Sequence, residues 1–233
     1  MNIKSFGFRG LSTPARISCS LFQALLLFAF LHGSFANANT SGIVSDDFNA
    51  AVLDTGLWTI IDPVGDGAVE LEGAGTADAR LRLSVPAGSN HDVWTGGNRA
   101  LRVMQPAQDE DLELEVKFES EPTQGFQLQG LLIEQDADNF LRLDFYSTGS
   151  QLNLFAARFV GGSPSTLLNQ SIASGAMLYL RLTRQGDQWT PQYSYDGSNW
   201  TAAASFTHAL TVSAVGVFAG NADPESVSLQ GPG

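Results

Sequence analysis

The sequence predicts an all-β protein, a two-sheet antiparallel β-sandwich, on three observations. Apolar and polar residues alternate with a period of two through most of residues 43–220. Turn-forming pairs separate these runs at the spacing of short strands. Helical periodicity is nearly absent, which disfavours parallel α/β folds.

Taken in order, the chain opens on a targeting signal. Lys4, Arg9 and Arg16 precede an apolar run at residues 21–31 (LFQALLLFAFL), and Ala36-Asn37-Ala38 follows. This is the order of a secretory signal peptide, with cleavage expected after Ala38. The apolar run is too short to span a bilayer, so no membrane anchor is expected. Residues 1–38 are read as the signal, 39–42 as a short leader, 43–220 as one sandwich domain and 221–233 as an irregular tail. The expected location is extracellular or periplasmic.

The domain itself reads as about twelve to fourteen short strands. Residues 79–85 (ARLRLSV) point Leu81, Leu83 and Val85 inward. Residues 111–118 (DLELEVKF) point Leu112, Leu114, Val116 and Phe118 inward, with Asp111, Glu113, Glu115 and Lys117 outward. Residues 140–146 (FLRLDFY) set Leu141, Leu143 and Phe145 against Arg142, Asp144 and Tyr146; residues 177–183 (MLYLRLT) continue the pattern. Asp66-Gly67, Thr148-Gly149, Gly161-Gly162 and Gln185-Gly186-Asp187 are turns between runs. Residues 193–200 (YSYDGSNW) read as a hairpin turning at Asp196-Gly197. Trp58, Trp189 and Trp200 are read as structural, the last two as a cross-strand pair.

Charge and cysteine content narrow the function classes. The 233 residues carry a net charge of −12, and the signal takes three of the twelve basic residues and none of the 24 acids. No basic stripe exists to neutralise phosphates, so nucleic acid is not an expected partner. An anionic membrane surface is disfavoured for the same reason. Cys19 is the only cysteine and leaves with the signal, which excludes thiol catalysis and cysteine-held metals from the mature domain. No G-x-S-x-G elbow, phosphate loop or dinucleotide fingerprint occurs.

Several segments together carry a family resemblance. They are Ser45-Asp-Asp-Phe48 with Trp58, Leu81-Arg-Leu-Ser-Val-Pro86, His91-Asp-Val-Trp94 and Glu113-Leu-Glu-Val-Lys-Phe118. Gly130-Leu-Leu-Ile-Glu-Gln-Asp136, Asn139-Phe-Leu-Arg-Leu143, the 193–200 hairpin and Val215-Gly-Val-Phe-Ala-Gly220 follow. The chain resembles the concanavalin A-like lectin/glucanase superfamily, nearest its laminin-G-like and β-xylosidase C-terminal-type branch in secreted bacterial proteins. The resemblance implies a jelly roll with one concave face, and a family containing sugar-binding modules, adhesive modules and hydrolases. It does not choose among them. Such domains usually add a final aromatic strand after the segment that here ends at Gly220. Only Val227 and Leu229 remain to form one, so a truncated C-terminus with an unpaired partner edge is expected.

The favoured function is a secreted, non-catalytic carbohydrate-binding module for a polysaccharide or cell-surface glycan. Trp94 offers a flat apolar face for a sugar ring, and His91 and Asp92 offer hydrogen bonds; the alternative is a turn whose Trp packs under a loop. Gln127, Gln129, Arg142, Asp144 and Tyr146, with Glu134, come from strands expected to be neighbours and form a candidate row of hydroxyl-reading groups. Their structural alternative is an ion pair across strands involving Glu134. A second reading is a glycoside hydrolase. The laminarinase-type members implied by the resemblance carry three acids alternately on one strand, as Asp111, Glu113 and Glu115 do here. Alternate strand residues lie roughly 6.5–7 Å apart, within reach of the retaining geometry of about 5–5.5 Å. Here, however, the order is Asp, Glu, Glu rather than Glu, Asp, Glu, and Lys117 continues the row as a plain solvated face. A third reading is a structural or adhesive module that binds protein. Asp62 and Asp66 in one turn, and Asp136 and Asp138 in another, are candidate calcium ligands, although neither turn matches an EF-hand. A separate catalytic or adhesive partner protein is expected, because such modules often accompany one.

Overall fold

The computed structural model describes residues 1–8 and 42–222. The apolar run at 21–31, the Ala36-Asn37-Ala38 cleavage signal and the tail holding Val227 and Leu229 lie outside the described residues. Those described contain seventeen strands and no helix. None of their segments is a helix long and apolar enough to cross a membrane.

The strands are β1 (Asn2–Phe8), β2 (Thr59–Ile61), β3 (Ala68–Glu72), β4 (Arg80–Ser84), β5 (Val93–Trp94), β6 (Gly97–Asn98), β7 (Leu101–Pro106), β8 (Leu112–Phe118) and β9 (Gln127–Glu134). They continue as β10 (Phe140–Ser147), β11 (Leu152–Val160), β12 (Ser163–Ile172), β13 (Leu178–Gln185), β14 (Gln188–Ser194), β15 (Thr201–Ala202), β16 (Phe206–Thr207) and β17 (Ala214–Asn221). One sheet runs β15-β14-β13-β8-β1-β4-β3, with β16 on β14; the other runs β12-β11-β10-β9-β17-β7-β2. The pair β5-β6 forms a small separate ribbon. All recorded pairings are antiparallel, which makes the molecule the expected sandwich.

Alternation places the core. On β8, Leu112, Leu114, Val116 and Phe118 are fully buried while the residues between them are half-exposed. They meet Leu131, Ile133, Leu141, Leu143 and Phe145 of the facing sheet in one cluster, with the Phe118 and Phe145 rings edge to face at 6.0 Å. Burying such side chains supplies about 1.5–3 kcal/mol each. β10 departs from simple alternation: all eight residues are buried. Its outward face lies under a second cluster that includes Val93 and, partly buried, Trp94 from the β5-β6 ribbon.

β1 lies between β8 and β4 and pairs with both. Ile3 and Phe6 are fully buried, and Phe6 meets Trp58 edge to face at 5.5 Å. A strand from the segment read as a signal peptide therefore completes the sheet.

The hairpin at residues 193–200 forms as expected, with Asp196 accepting the amides of Ser198 and Asn199. The Trp189–Trp200 pair does not form. Trp189 opposes Arg184 on the buried face and donates to the His208 carbonyl, whereas Trp200 stacks on Arg181. The two rings belong to opposite faces of the sheet.

Candidate functional site

The outward face of β9, β10 and β11 gathers the strongest candidates. Arg142, Asp144 and Tyr146 share it because alternate strand residues point the same way. Register adds the neighbours: Asp144 opposes Gly130 on β9 and Phe155 on β11. Phe155 packs edge-on against both Tyr146 and Trp94, at 5.8 and 5.9 Å, and Trp94 also meets Phe159 at 6.1 Å. Phe126 stacks on Tyr146 at 6.3 Å from a left-handed backbone, φ 62°. An aromatic residue held at positive φ stores strain that the packing offsets, and such outliers concentrate at functional sites. The result is an aromatic row from Phe126 through Tyr146 and Phe155 to Trp94. Within it, the Tyr146 hydroxyl donates to the exposed Asn169.

Beneath the row lies a buried charge network. Arg142 Nε donates to Asp144 at 2.7 Å, Arg142 Nη1 donates to the Val93 carbonyl at 2.6 Å, and Asp92 lies 3.6 Å away. The guanidinium sits 4.9 Å from the centre of the Phe155 ring. Burial lifts the Asp144 carboxyl above the usual carboxylate range, and the Arg142 charge opposes the lift. Gly130 makes the arrangement fit: a Cβ there would run first into the Leu143 carbonyl oxygen and then into the Asp144 Cβ. The network therefore holds the ribbon carrying Trp94 onto β10. Above it, Asn90, Asp92, Trp94 and Arg99 line a cavity of about 200 Å³.

The expected row of Gln127, Gln129, Arg142, Asp144 and Tyr146 is split. Gln129 opposes Phe145, so it faces the other sheet, where its amide donates to the Ser120 carbonyl and accepts from the Ser120 hydroxyl. Gln127 has the same parity and accepts the amides of Thr123 and Gln124 at the strand's start. Parity along β9 is the reason: odd positions face the core, even positions face outward. The cross-strand alternative also changes partner, since Glu134 pairs with Arg102 at 3.2 Å and Arg142 with Asp144. Burial raises the Glu134 carboxyl and lowers Arg102.

His91 stands apart from Trp94. It is fully buried, with Nε2 2.6 Å from Asp66 and Nδ1 2.9 Å from Asn221 Oδ1. The Asn221 amide nitrogen donates to the Pro86 carbonyl, which turns its oxygen toward the ring. His91 thus clasps the Asp66 turn to the end of β17, and it holds Asp66 below the usual carboxylate range.

The acid row lies on the opposite sheet. Glu115 pairs with Arg181 at 2.6 Å, Glu113 lies 3.7 Å from the same guanidinium, and Asp111 accepts the Gly186 amide. Arg181 in turn stacks on Trp200 at 3.7 Å. The two glutamates share one arginine on an open sheet face.

Of the four candidate calcium ligands, Asp62 and Asp136 serve turns. Asp62 accepts the amides of Gly65 and Gly67, while Asp136 accepts those of Asp138 and Asn139. Asp66 holds His91. Among the described residues no three His, Cys, Asp or Glu side chains gather to hold a metal ion.

Arg99, Phe126 and Phe155 were not singled out by sequence, and Asn90 and Asn169 were not read as part of this site. Phe155 carried a signal: on β11, Phe155, Ala157 and Phe159 make the second face apolar too, the pattern of a strand covered on both sides. Asn169 reaches the site through the register of β12 with β11, opposite Phe155, and Asn90, Arg99 and Phe126 depend on loops that left no periodic trace.

Residues 45–222 match the family profile described as the β-xylosidase C-terminal concanavalin A-like domain. Solved structures share the architecture. A GH43 glycoside hydrolase engineered for both endo-xylanase and exo-arabinofuranosidase activity aligns at TM-score 0.57 and 15% identity, over 82% of this chain and 40% of that one. A GH43_12 protein retrieved from a capybara gut metagenome aligns at 0.57 and 14%, over 76% of this chain and 34% of that one. The GH43 protein BlXynB from Bacillus licheniformis aligns at 0.50 and 17%, over 76% and 35%. The chain thus spans well under half the length of these proteins. No curated protein matches it in sequence.

Proposed function

The chain belongs to the family of β-xylosidase C-terminal concanavalin A-like domains, and on that premise we propose that it is a secreted, non-catalytic carbohydrate-binding module whose ligand seats on Trp94. One observation carries this reading: Trp94 is half-exposed, held edge-on by Phe155 and Phe159, and shares a cavity with Asn90, Asp92 and Arg99. A sugar ring presents an apolar face and a hydroxyl rim. The indole supplies the first contact, and the amide, carboxylate and guanidinium read the second. Such a shallow single site supports weak affinity, on the order of 10⁻³–10⁻⁵ M. The named activities of the engineered relative make arabinoxylan the first polymer to test. A separate catalytic protein would then act on the polymer this module holds.

The test is a polysaccharide array probed with the protein, with and without calcium. Binding to a xylan class that Trp94→Ala abolishes supports the reading. Binding unchanged in Trp94→Ala overturns the site. Xylan hydrolysis that Glu113→Gln eliminates would move the activity to the other sheet.

A further inference from the structure

We propose that the Trp94 site selects a glycan that carries a uronic acid, with Arg99 pairing the sugar's carboxylate. The inference rests on the reading of Trp94 as a sugar platform and adds the charge of the sugar. The first ground is which cations are already answered. Among the described residues, every arginine and lysine except Arg99 and Arg158 has a carboxylate within 3.8 Å. Arg158 opposes Leu141 on β10, so it faces away from the Trp94 side. Arg99 lies on the cavity wall beside Trp94. This chain carries a net charge of −12, with acids to spare, yet none of the described carboxylates pairs with Arg99. That guanidinium is available to an anion from outside.

The second ground is how Arg99 is held. Its backbone amide donates to the Asp92 carbonyl at 2.9 Å, and its Nε donates to the Asn90 carbonyl at 3.0 Å. These bonds fix the stem although the residue is exposed. Among the described residues nothing accepts from its two Nη groups, which are left as a planar pair of donors. A carboxylate accepts from such a pair through both oxygens. An arginine pinned beforehand also loses less freedom when the ligand arrives.

The third ground is the rest of the cavity. Asp92 is the one carboxylate on its wall. The Asp92 Oδ1 accepts the Val93 amide at 2.8 Å and lies 3.6 Å from the Arg142 Nη1. Arg142 lies beneath, within reach of both Asp92 and Asp144, and offsets their charge from inside. Acids farther than a screening length, on the order of 8 Å at physiological ionic strength, weigh little at the rim. A uronic acid suits both exposed groups. Its ring offers an apolar face to the indole, and its carboxylate stands at the ring's edge, where a neutral hexose carries a hydroxymethyl group. At about 200 Å³ the cavity is small beside a drug-sized pocket of roughly 300–1,000 Å³, so it takes one sugar residue, a side group rather than a run of polymer backbone.

The test titrates the full chain with glucuronoxylan and with the same polymer after its carboxyl groups have been reduced to alcohols. The wild type should bind the native polymer about tenfold or more tightly than the reduced one. Arg99→Gln should bind both alike, at the affinity of the wild type for the reduced polymer. Equal binding of the two polymers by the wild type, abolished by Trp94→Ala, would overturn the uronate inference and leave the platform standing. A preference for the native polymer that persists in Arg99→Gln would also overturn it. Failure of the wild type to bind either of these polymers or arabinoxylan would overturn the platform reading and this inference with it.

Discussion

Arg142 and Asp144 stand two residues apart on β10 and form a buried ion pair, Nε to Oδ1 2.7 Å and Nη2 to Oδ2 3.2 Å, while the same guanidinium reaches the Val93 carbonyl. One charged group thereby ties the sheet to the ribbon that presents Trp94. Removing one partner leaves the other buried and unpaired. Asp144→Asn should cost about 3–5 kcal/mol in chemical denaturation. The double change Arg142→Met, Asp144→Leu should recover much of that stability but lose the Val93 contact. Faster hydrogen exchange at residues 93–98 in the double variant would show that the pair positions the ribbon. Unchanged exchange would reduce it to packing.

Trp94→Ala and Trp200→Ala separate the two sheet faces. Loss of stacking at Trp94 should weaken xylan binding by about tenfold or more, equivalent to about 1.4 kcal/mol. Trp200, stacked on Arg181 across the molecule, should be neutral in the same titration. The reverse result would transfer the site to the sheet that carries Glu113 and Glu115.

Gly130→Ala should destabilise the fold by about 1–3 kcal/mol, because the new methyl group meets the Leu143 carbonyl oxygen and the Asp144 Cβ and forces strain into a packed region. The urea midpoint measures this. A change within error would mean that β9 and β10 separate more readily than their register implies.

Acid should loosen the clasp at His91. Its hydrogen bond depresses the folded-state pKa of Asp66, so the pair's stabilisation is present above the unfolded carboxylate value, about 3.9. It is lost as pH falls through the lower folded value. Asp66→Asn should therefore lower the melting temperature at neutral pH and flatten its decline below pH about 4. A decline as steep as that of the wild type would assign acid sensitivity to other depressed carboxylates, such as Asp109 beside Arg184.

Much of the fold was legible in period-two alternation. The inward faces of β4, β8 and β10 and the hairpin at Asp196-Gly197 follow from residue order, since strand geometry sends alternate side chains to opposite sides. Asp92 and Trp94, two residues apart in sequence, line one cavity. The amides were misplaced: Gln127 and Gln129 share a parity with Leu131 and Ile133, and only the register with β10 shows that this parity is the core side.

Sequence alone determined that this chain builds an antiparallel sandwich and which side chains form each strand's apolar face. Tertiary structure decided what covers the other face. Arg142 and Asp144 look like solvent-facing polar residues until Val93, 49 residues before Arg142 in the chain, and Trp94 fold over them. It also decided that residues 2–8 occupy the lane between β8 and β4. Period reports how a strand divides into two faces, whereas burial of both faces and the choice of neighbour depend on segments that meet only when the chain closes on itself.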